Sequence, residues 1–374
     1  MTVSRSSARA GASATPARAD LEAIWPYVPG RHRVEIEREY GIANVLKVAS
    51  NENPLGPSPR ALAALAALDE LQYYPDSQAR DLKEALAARH GVEPDHVVVG
   101  NGSVECIDLV ARAFLRPGDE AICGFPCFPR FPIACQVIGV APVVVPHVDW
   151  TVDLDGIAGA VTERTRVVYI DNPCNPTGTH VAPDDLAAFL DALPPRVLVL
   201  LDRAYYEFVP PGERFEEDVE RILGGENLAV LRTFSKAYGL AGLRIGYALA
   251  RPDHVRALDR VREAFNTSVV AQAAGMAAIE DDAHVEATLR VNEAGRTRLL
   301  EAFDRQGFAA VPSKTNFLFV DLGERAAAIN GSLLSKGIVI RPMTAPGIDT
   351  FARISVPDRA GVERLVSALG EIGA

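Results

Sequence analysis

Six short runs between residues 96 and 234 constrain the fold more than anything else in the chain: HVVVG (96–100), EAICG (120–124), APVVVP (141–146), RVVYID (166–171), VLVLLD (197–202) and LAVLRTF (228–234). Each is nearly all apolar, with little alternation. A strand with one face in water alternates polar and apolar residues; a strand covered on both faces does not. Amphipathic segments lie between them. SVECIDLVARAFL (103–115) has Ser103 placed to cap it, and PDDLAAFLDAL (183–193) has Pro183 suited to a first helical turn. The pattern predicts an α/β fold, a mostly parallel sheet flanked by helices.

After residue 250 the character changes. Helices are predicted over 252–265 and 269–281, then a long one over 283–306 that crosses between domains. NFLFVDL (316–322), IVIRPM (338–343) and FARISV (351–356) read as strands, giving a smaller α+β domain. At 374 residues the chain exceeds the usual single-core limit, which agrees with two domains.

The formal net charge is −11, which argues against nucleic acid as a main partner. No apolar run reaches the ~18–20 residues needed to cross a bilayer. Five cysteines, an odd number in a large chain, point to reduced thiols in a cytoplasmic protein rather than a disulfide framework, and their spacing does not suit a metal. Residues 1–19 are rich in Ser, Ala and Arg and lack acids. A disordered tail over 1–20 is the expectation, with an organellar transit peptide as the alternative.

Four loops follow predicted strands, and ligands in open α/β sheets bind at such strand ends. GNGS (100–103) opens a helix, where free amides bind anions, though a simple cap reads equally well. In DNPCNPTG (171–178) the Asn175 amide can donate to a phenolate oxygen; the segment is also a plain Pro-rich turn. Asp202 ends a very apolar strand, where a carboxylate needs a cation such as a protonated pyridine nitrogen, and Tyr205 follows three residues on. A capping Asp and a packing Tyr are the bland alternative. RTFSKAYGLAGLRIGY (232–247) carries Lys236, whose amine can form a Schiff base, with Thr233, Ser235 and Arg244 equipped to hold a phosphate. An aldehyde and a phosphate on one small molecule point to pyridoxal phosphate.

Taken in order, NPxNPTG, D-x-A-Y and T-F-S-K-x-x-G-L-A-G-L-R resemble the fold-type I pyridoxal-phosphate aminotransferases. SNENPLGPSP (50–59), YYPD (73–76), GNGS, TNF (315–317), IRP (340–342) and ARISV (352–356) are similar to the histidinol-phosphate aminotransferase subfamily. The resemblance covers about residues 25–370. It implies Lys236 as Schiff-base lysine and general base. Asp202 would sit on the pyridinium, and Asn175 and Tyr205 on the ring oxygen. Ser103, Val104, Thr233, Ser235 and Arg244 would hold the phosphate, and Phe128 would stack on the ring. Tyr74 would reach across to a partner subunit's phosphate, implying a homodimer with shared sites. Arg353 would take the substrate carboxylate, with Arg341, Asn316, Asn53 and Tyr74 about the same pocket. Residues 21–70 would form an amino-terminal arm and part of the small domain, 71–279 the large domain and 280–374 the rest of the small one.

The implied reaction moves an amino group from histidinol phosphate or a related donor to 2-oxoglutarate. Decarboxylation, cyclisation and elimination occur on similar scaffolds and stay open at this point. A non-catalytic regulator sits badly with a complete cofactor set. The chain also departs from the pattern. Arg203 stands where the family has Glu, and FPCFPRFP (125–132) brings Pro129, Arg130 and Pro132 to the stretch after Gly124. Arg203 or Arg130 could therefore read an anionic substrate; sequence drift on the back of a strand and a solvent-facing loop are the alternative.

Overall fold

The protein is seen here in a computed structural model that describes residues 18–24, 26 and 30–373. The tail expected over 1–20 lies almost wholly outside them. A seven-stranded sheet forms the centre, in the order Val97–Gly100, Gly246–Ala250, Leu228–Thr233, Leu198–Asp202, Thr165–Asp171, Glu120–Phe125 and Val143–Pro146. All strands run parallel except Gly246–Ala250, which is antiparallel to both neighbours.

The near-continuous apolar runs therefore carry the meaning the sequence suggests. Every residue of Leu198–Asp202 and Leu228–Thr233 is buried, because helices cover both faces of the sheet. The two sides form separate apolar clusters, one around Leu201, Val230 and Phe234, the other around Leu200, Leu231 and Ile107. Residues alternate between them, as the pleat requires. Gly246–Ala250 escapes the sequence reading because YALA carries no β-branched residue, and burial rather than propensity makes it a strand.

Four antiparallel strands, Arg341–Pro342, Phe351–Ser355, Phe317–Asp321 and Ala309–Val311, form a second sheet. Helices Asp282–Arg305, Ala326–Ser335 and Arg359–Gly373 flank it, and Leu299, Phe303, Leu333 and Leu365 bury against Leu318 and Ile354. The run predicted as one strand over 338–343 divides. Ile338–Val339 pairs with Leu46–Lys47 in a parallel two-stranded ladder, while Arg341–Pro342 joins the four-stranded sheet. The amino-terminal arm is thus hydrogen-bonded to the carboxy-terminal part of the chain.

Candidate functional site

Three strand ends and one helix start meet around a cavity of about 510 Å³. The parallel strands Thr165–Asp171, Leu198–Asp202 and Leu228–Thr233 deliver Asp171, Asp202 and Thr233, and the loop beyond the last delivers Ser235 and Lys236. The helix Ser103–Phe114 points its first turn into the same space, with Ser103, Val104 and Asp108 on the wall. Phe128, Asn175, Tyr205 and Arg244 also line it. All the predicted cofactor residues except Tyr74 therefore share one cavity.

Local geometry explains why the chain places them so. The sequence suggests Ser103 as helix cap, but Gly102 occupies that position at φ 75°, and Ser103 is the first helical residue. Arg244 is itself left-handed, at φ 55°. A Cβ on Gly102 would stand 2.5 Å from Arg244 Nη2, and one on Gly246 would overlap the Ser103 amide. Both glycines are there to let cation and helix start come together. Thr233 Oγ1 donates to Ser235 Oγ at 3.0 Å and accepts from the Ser235 amide at 3.1 Å, folding the loop back before the lysine.

At the opposite end, Asp202 is buried and accepts from Tyr169 Oη at 2.9 Å and the Ala204 amide at 3.0 Å. Burial pushes its pKa up, against the Tyr169 hydroxyl bond that pulls it down. No ion pair with Asp202 occurs among the described residues, so a ligand cation is the partner that would offset its burial. Lys236 Nζ lies 3.4 Å from the Ser50 carbonyl. Burial first, then the Arg353 cation, lowers its pKa to about 8. The anion-binding end, the amine and the acid suit pyridoxal 5'-phosphate.

Other predicted residues sit elsewhere. Asn53 Nδ2 donates to the Ala237 carbonyl and to Thr288 Oγ1, each at 2.9 Å, and does not line the cavity. Asn316 is buried behind it, donating to the Asn51 carbonyl at 3.0 Å. Arg353 meets the edge of the site through Asn175: its Nη1 donates to Asn175 Oδ1 at 2.5 Å and its Nη2 to the Ala49 carbonyl at 2.9 Å. Arg341 is its cross-strand partner in the small sheet. Tyr74 is 82% exposed and stacks on Phe265 at 4.6 Å between ring centres, away from its own chain's cavity.

Sequence reading missed Asn51. Its Nδ2 donates to Tyr205 Oη at 2.8 Å, and its Oδ1 accepts from Ser355 Oγ at 2.9 Å. It is left-handed, φ 57°, and stands in SNEN two residues before the asparagine chosen, a difference the sequence does not mark. Ser50, Glu52, Asp108 and Asp171 were also missed as lining residues.

The two departures from the pattern separate. Arg203 has no exposed surface. Its guanidinium pairs with Asp218 at 3.1 Å and lies 4.6 Å from the Tyr206 ring centre. It follows Asp202 on the strand and so points to the other face, which removes it as a reader of substrate. Arg130 does line the cavity, but its Nη2 is paired with Asp108, and the pair presents little net charge.

Comparison with known proteins gives the family and the fold. The family described as aminotransferase class I and II matches residues 43–369. A histidinol-phosphate aminotransferase of Moorella thermoacetica is 43% identical over 357 residues, 95% of this chain and 92% of the relative. One of Thiobacillus denitrificans is 44% identical over 355 residues, 94% of this chain and 92% of the relative. The solved structure of histidinol-phosphate aminotransferase from Sinorhizobium meliloti in complex with pyridoxal-5'-phosphate superposes with a TM-score of 0.87 at 31% identity, covering 96% of this chain and 98% of that one. The chain therefore belongs to the class I and II aminotransferases, and its fold is that of the fold-type I enzymes which work with pyridoxal 5'-phosphate.

Proposed function

We propose that the protein transfers an amino group from histidinol phosphate, or a close analogue, to 2-oxoglutarate. The observation that carries this is the meeting of Lys236, Asp202 and the Ser103–Thr233–Ser235–Arg244 group around one cavity. Bound pyridoxal phosphate supplies a ring that withdraws electrons from the α-carbon of an attached amino acid.

The chain's residues do the rest. Ser103, Thr233, Ser235 and Arg244, with the Val104 amide, hold the phosphate. Asp202 keeps the pyridine nitrogen protonated. With Asn175 Oδ1 taken by Arg353, the amide end left to donate to the ring oxygen is Nδ2. Tyr205 donates to the same oxygen while accepting from Asn51. Phe128, on the cavity wall, would stack on the ring and keep water from that face. Lys236 Nζ, whose pKa burial lowers to about 8, would be the base that takes and returns the proton of the substrate α-carbon. Arg353 meets the substrate carboxylate by a two-pronged contact, Arg341 and Asn316 support that end, and Asn53 braces the loop after Lys236 through the Ala237 carbonyl.

Tyr74, turned outward, completes the site of a second copy, so the working form is a homodimer in the cytoplasm. Residues 71–279 form the cofactor-binding domain; 280–374 with part of 21–70 form the smaller one. Among the described residues no helix is long and apolar enough to cross a membrane. The relatives above all bear the name of an aminotransferase, so decarboxylation, cyclisation and elimination are not favoured.

A donor screen tests the reading. Each donor is mixed with the loaded enzyme in the absence of keto acid, and formation of pyridoxamine phosphate is followed. Histidinol phosphate should convert the cofactor fastest, and turnover should require 2-oxoglutarate. Steady product release without any keto acid would overturn the transaminase.

A further inference from the structure

Asp171 is a buried acid of the cavity lining to which the proposed reaction gives no part. It ends the strand Thr165–Asp171 and pairs in register with Asp202 on the next strand, so two carboxylates stand side by side at the carboxyl end of the sheet. Asp171 is 4% exposed. A second buried acid beside the pyridinium partner is costly unless something holds it.

Two backbone amides do. Asp171 Oδ2 accepts from the Phe128 amide at 3.1 Å and from the Asn175 amide at 3.0 Å. Phe128 belongs to the loop after the strand Glu120–Phe125, and Asn175 to the loop after Asp171's own strand. These loops carry the aromatic wall and the ring-oxygen donor. One carboxylate oxygen therefore ties together two loops that approach the cavity from different strands. Through Asn175 Oδ1 the link continues to Arg353 on the small sheet.

We infer that Asp171 is a positioning residue: its carboxylate clamps the Phe128 backbone to the Asn175 backbone, so that ring-stacking wall and ring-oxygen donor hold one spacing. The inference rests on the cofactor reading above for what the clamp is worth, but not for the clamp itself. Burial lifts Asp171 to about 7; the Asn175 amide works against this, and Asp202 adds to it. A neutral acid still accepts both amides through its carbonyl oxygen, so the clamp survives either protonation state. Without an acceptor here, the buried Asn175 N–H and the half-buried Phe128 N–H would both lose their partner.

Asp171→Asn and Asp171→Ala separate clamp from charge. Asparagine can present one oxygen to both amides; alanine cannot. The readouts are hydrogen exchange of segments 126–129 and 172–176 in the cofactor-free protein, and the dissociation constant for pyridoxal phosphate. In Asp171→Ala both segments should exchange faster together, while 198–202 stays protected. Cofactor affinity should fall about ten- to a hundredfold, the usual effect of removing a supporting residue behind a bound group. Asp171→Asn should restore both readouts to within about threefold of wild type, allowing roughly half the free energy of one hydrogen bond for imperfect geometry. If Asp171→Ala does not fold, Asp171→Ser carries the same comparison, since its shorter side chain cannot reach both amides. Unchanged exchange in either segment, or an Asn variant as weak as the Ala variant, overturns the clamp. Should the wild-type protein take up no pyridoxal phosphate at all, the cofactor reading fails, and the exchange comparison still decides the clamp.

Discussion

Arg203 and Asp218 form an ion pair, 3.1 Å from Nη1 to Oδ2, with the arginine wholly buried and the aspartate 3% exposed. Arg232, also buried, shares the same carboxylate oxygen at 3.4 Å, and its guanidinium lies 3.6 Å from the Tyr206 ring centre. Removing Asp218 would strand two cations in the interior. Asp218→Ala should therefore destabilise the protein by about 3–5 kcal/mol in urea titration. Arg203→Glu would set an acid against Asp218 and destabilise similarly. Because Arg203 faces away from the cavity, the folded fraction of that variant should keep its ranking of amino donors. A changed donor ranking would return Arg203 to the substrate site.

Lys236 titrates at about 8, below its ordinary 10.5. The amine of the cofactor-free protein should therefore react with pyridoxal phosphate at a rate that rises with pH and levels off above about 8. Arg353 is the largest charge contributing to the shift. Arg353→Leu should move the midpoint up, because removing a cation favours the ammonium form. The same shift affects stability. Between pH 8 and 10.5 the unfolded chain holds the proton and the folded chain does not, so this lysine's penalty is complete below 8 and fades as pH rises to 10.5. A midpoint near 10 in the imine-formation profile would contradict the burial argument.

Gly102 stands at φ 75° with Arg244 2.5 Å from the place a Cβ would take. Gly102→Ala should cost about 1–3 kcal/mol in backbone strain. It should also push Arg244 off the anion site and weaken binding of pyridoxal phosphate more than that of pyridoxal. Calorimetric titration with the two ligands checks this; equal losses for both would place the fault elsewhere.

Much of this arrangement was legible in the sequence, and the failures have physical causes. Apolar strands with no solvent face announce a covered sheet, and residues at their carboxyl ends must converge, so Asp202, Thr233 and Lys236 could be placed together. Position along a strand could also have shown that Arg203 faces away from Asp202's side, since adjacent residues alternate. Asn51 and Asn53 could not be told apart, because both lie in the same short polar stretch and only tertiary contacts decide which reaches Tyr205. Gly246–Ala250 lacked the β-branched residues by which strands are recognised. Asp171 read as part of a turn because its partners are backbone amides, which leave no mark in side-chain identity.

Asn51→Ala should remove the donor to Tyr205 Oη and the acceptor of Ser355 Oγ. Each buried group left unpaired costs about 1–3 kcal/mol. Thermal melts should show the loss with and without cofactor, and kcat should fall as Tyr205 loses its fixed direction. Serine at 51 should not rescue it, being too short to hold both partners.

Tyr74 and Phe265 stack in the open, 82% and 43% exposed. If Tyr74 serves a neighbour's site, Lys236→Ala and Tyr74→Ala chains co-expressed in one cell should form mixed dimers with one intact site. Their activity should exceed that of the two variants measured separately. Failure to exceed it, with mixed dimers confirmed by mass spectrometry, would remove Tyr74 from the shared site.

The contact between Ser355 and Asn51 spans 304 positions of sequence. Nearly the whole polypeptide must leave the ribosome before the segment around Asn51 can find its place. During synthesis that early segment waits, while the parallel strands between 97 and 233 can already assemble behind it. Closing so long a loop is slow, so the pocket that depends on Asn51 is the last part of the molecule to become functional. A nascent chain stalled before residue 355 would carry Lys236, Asp202 and Tyr205 and still lack the two Ser355 bonds that hold Asn51 in place.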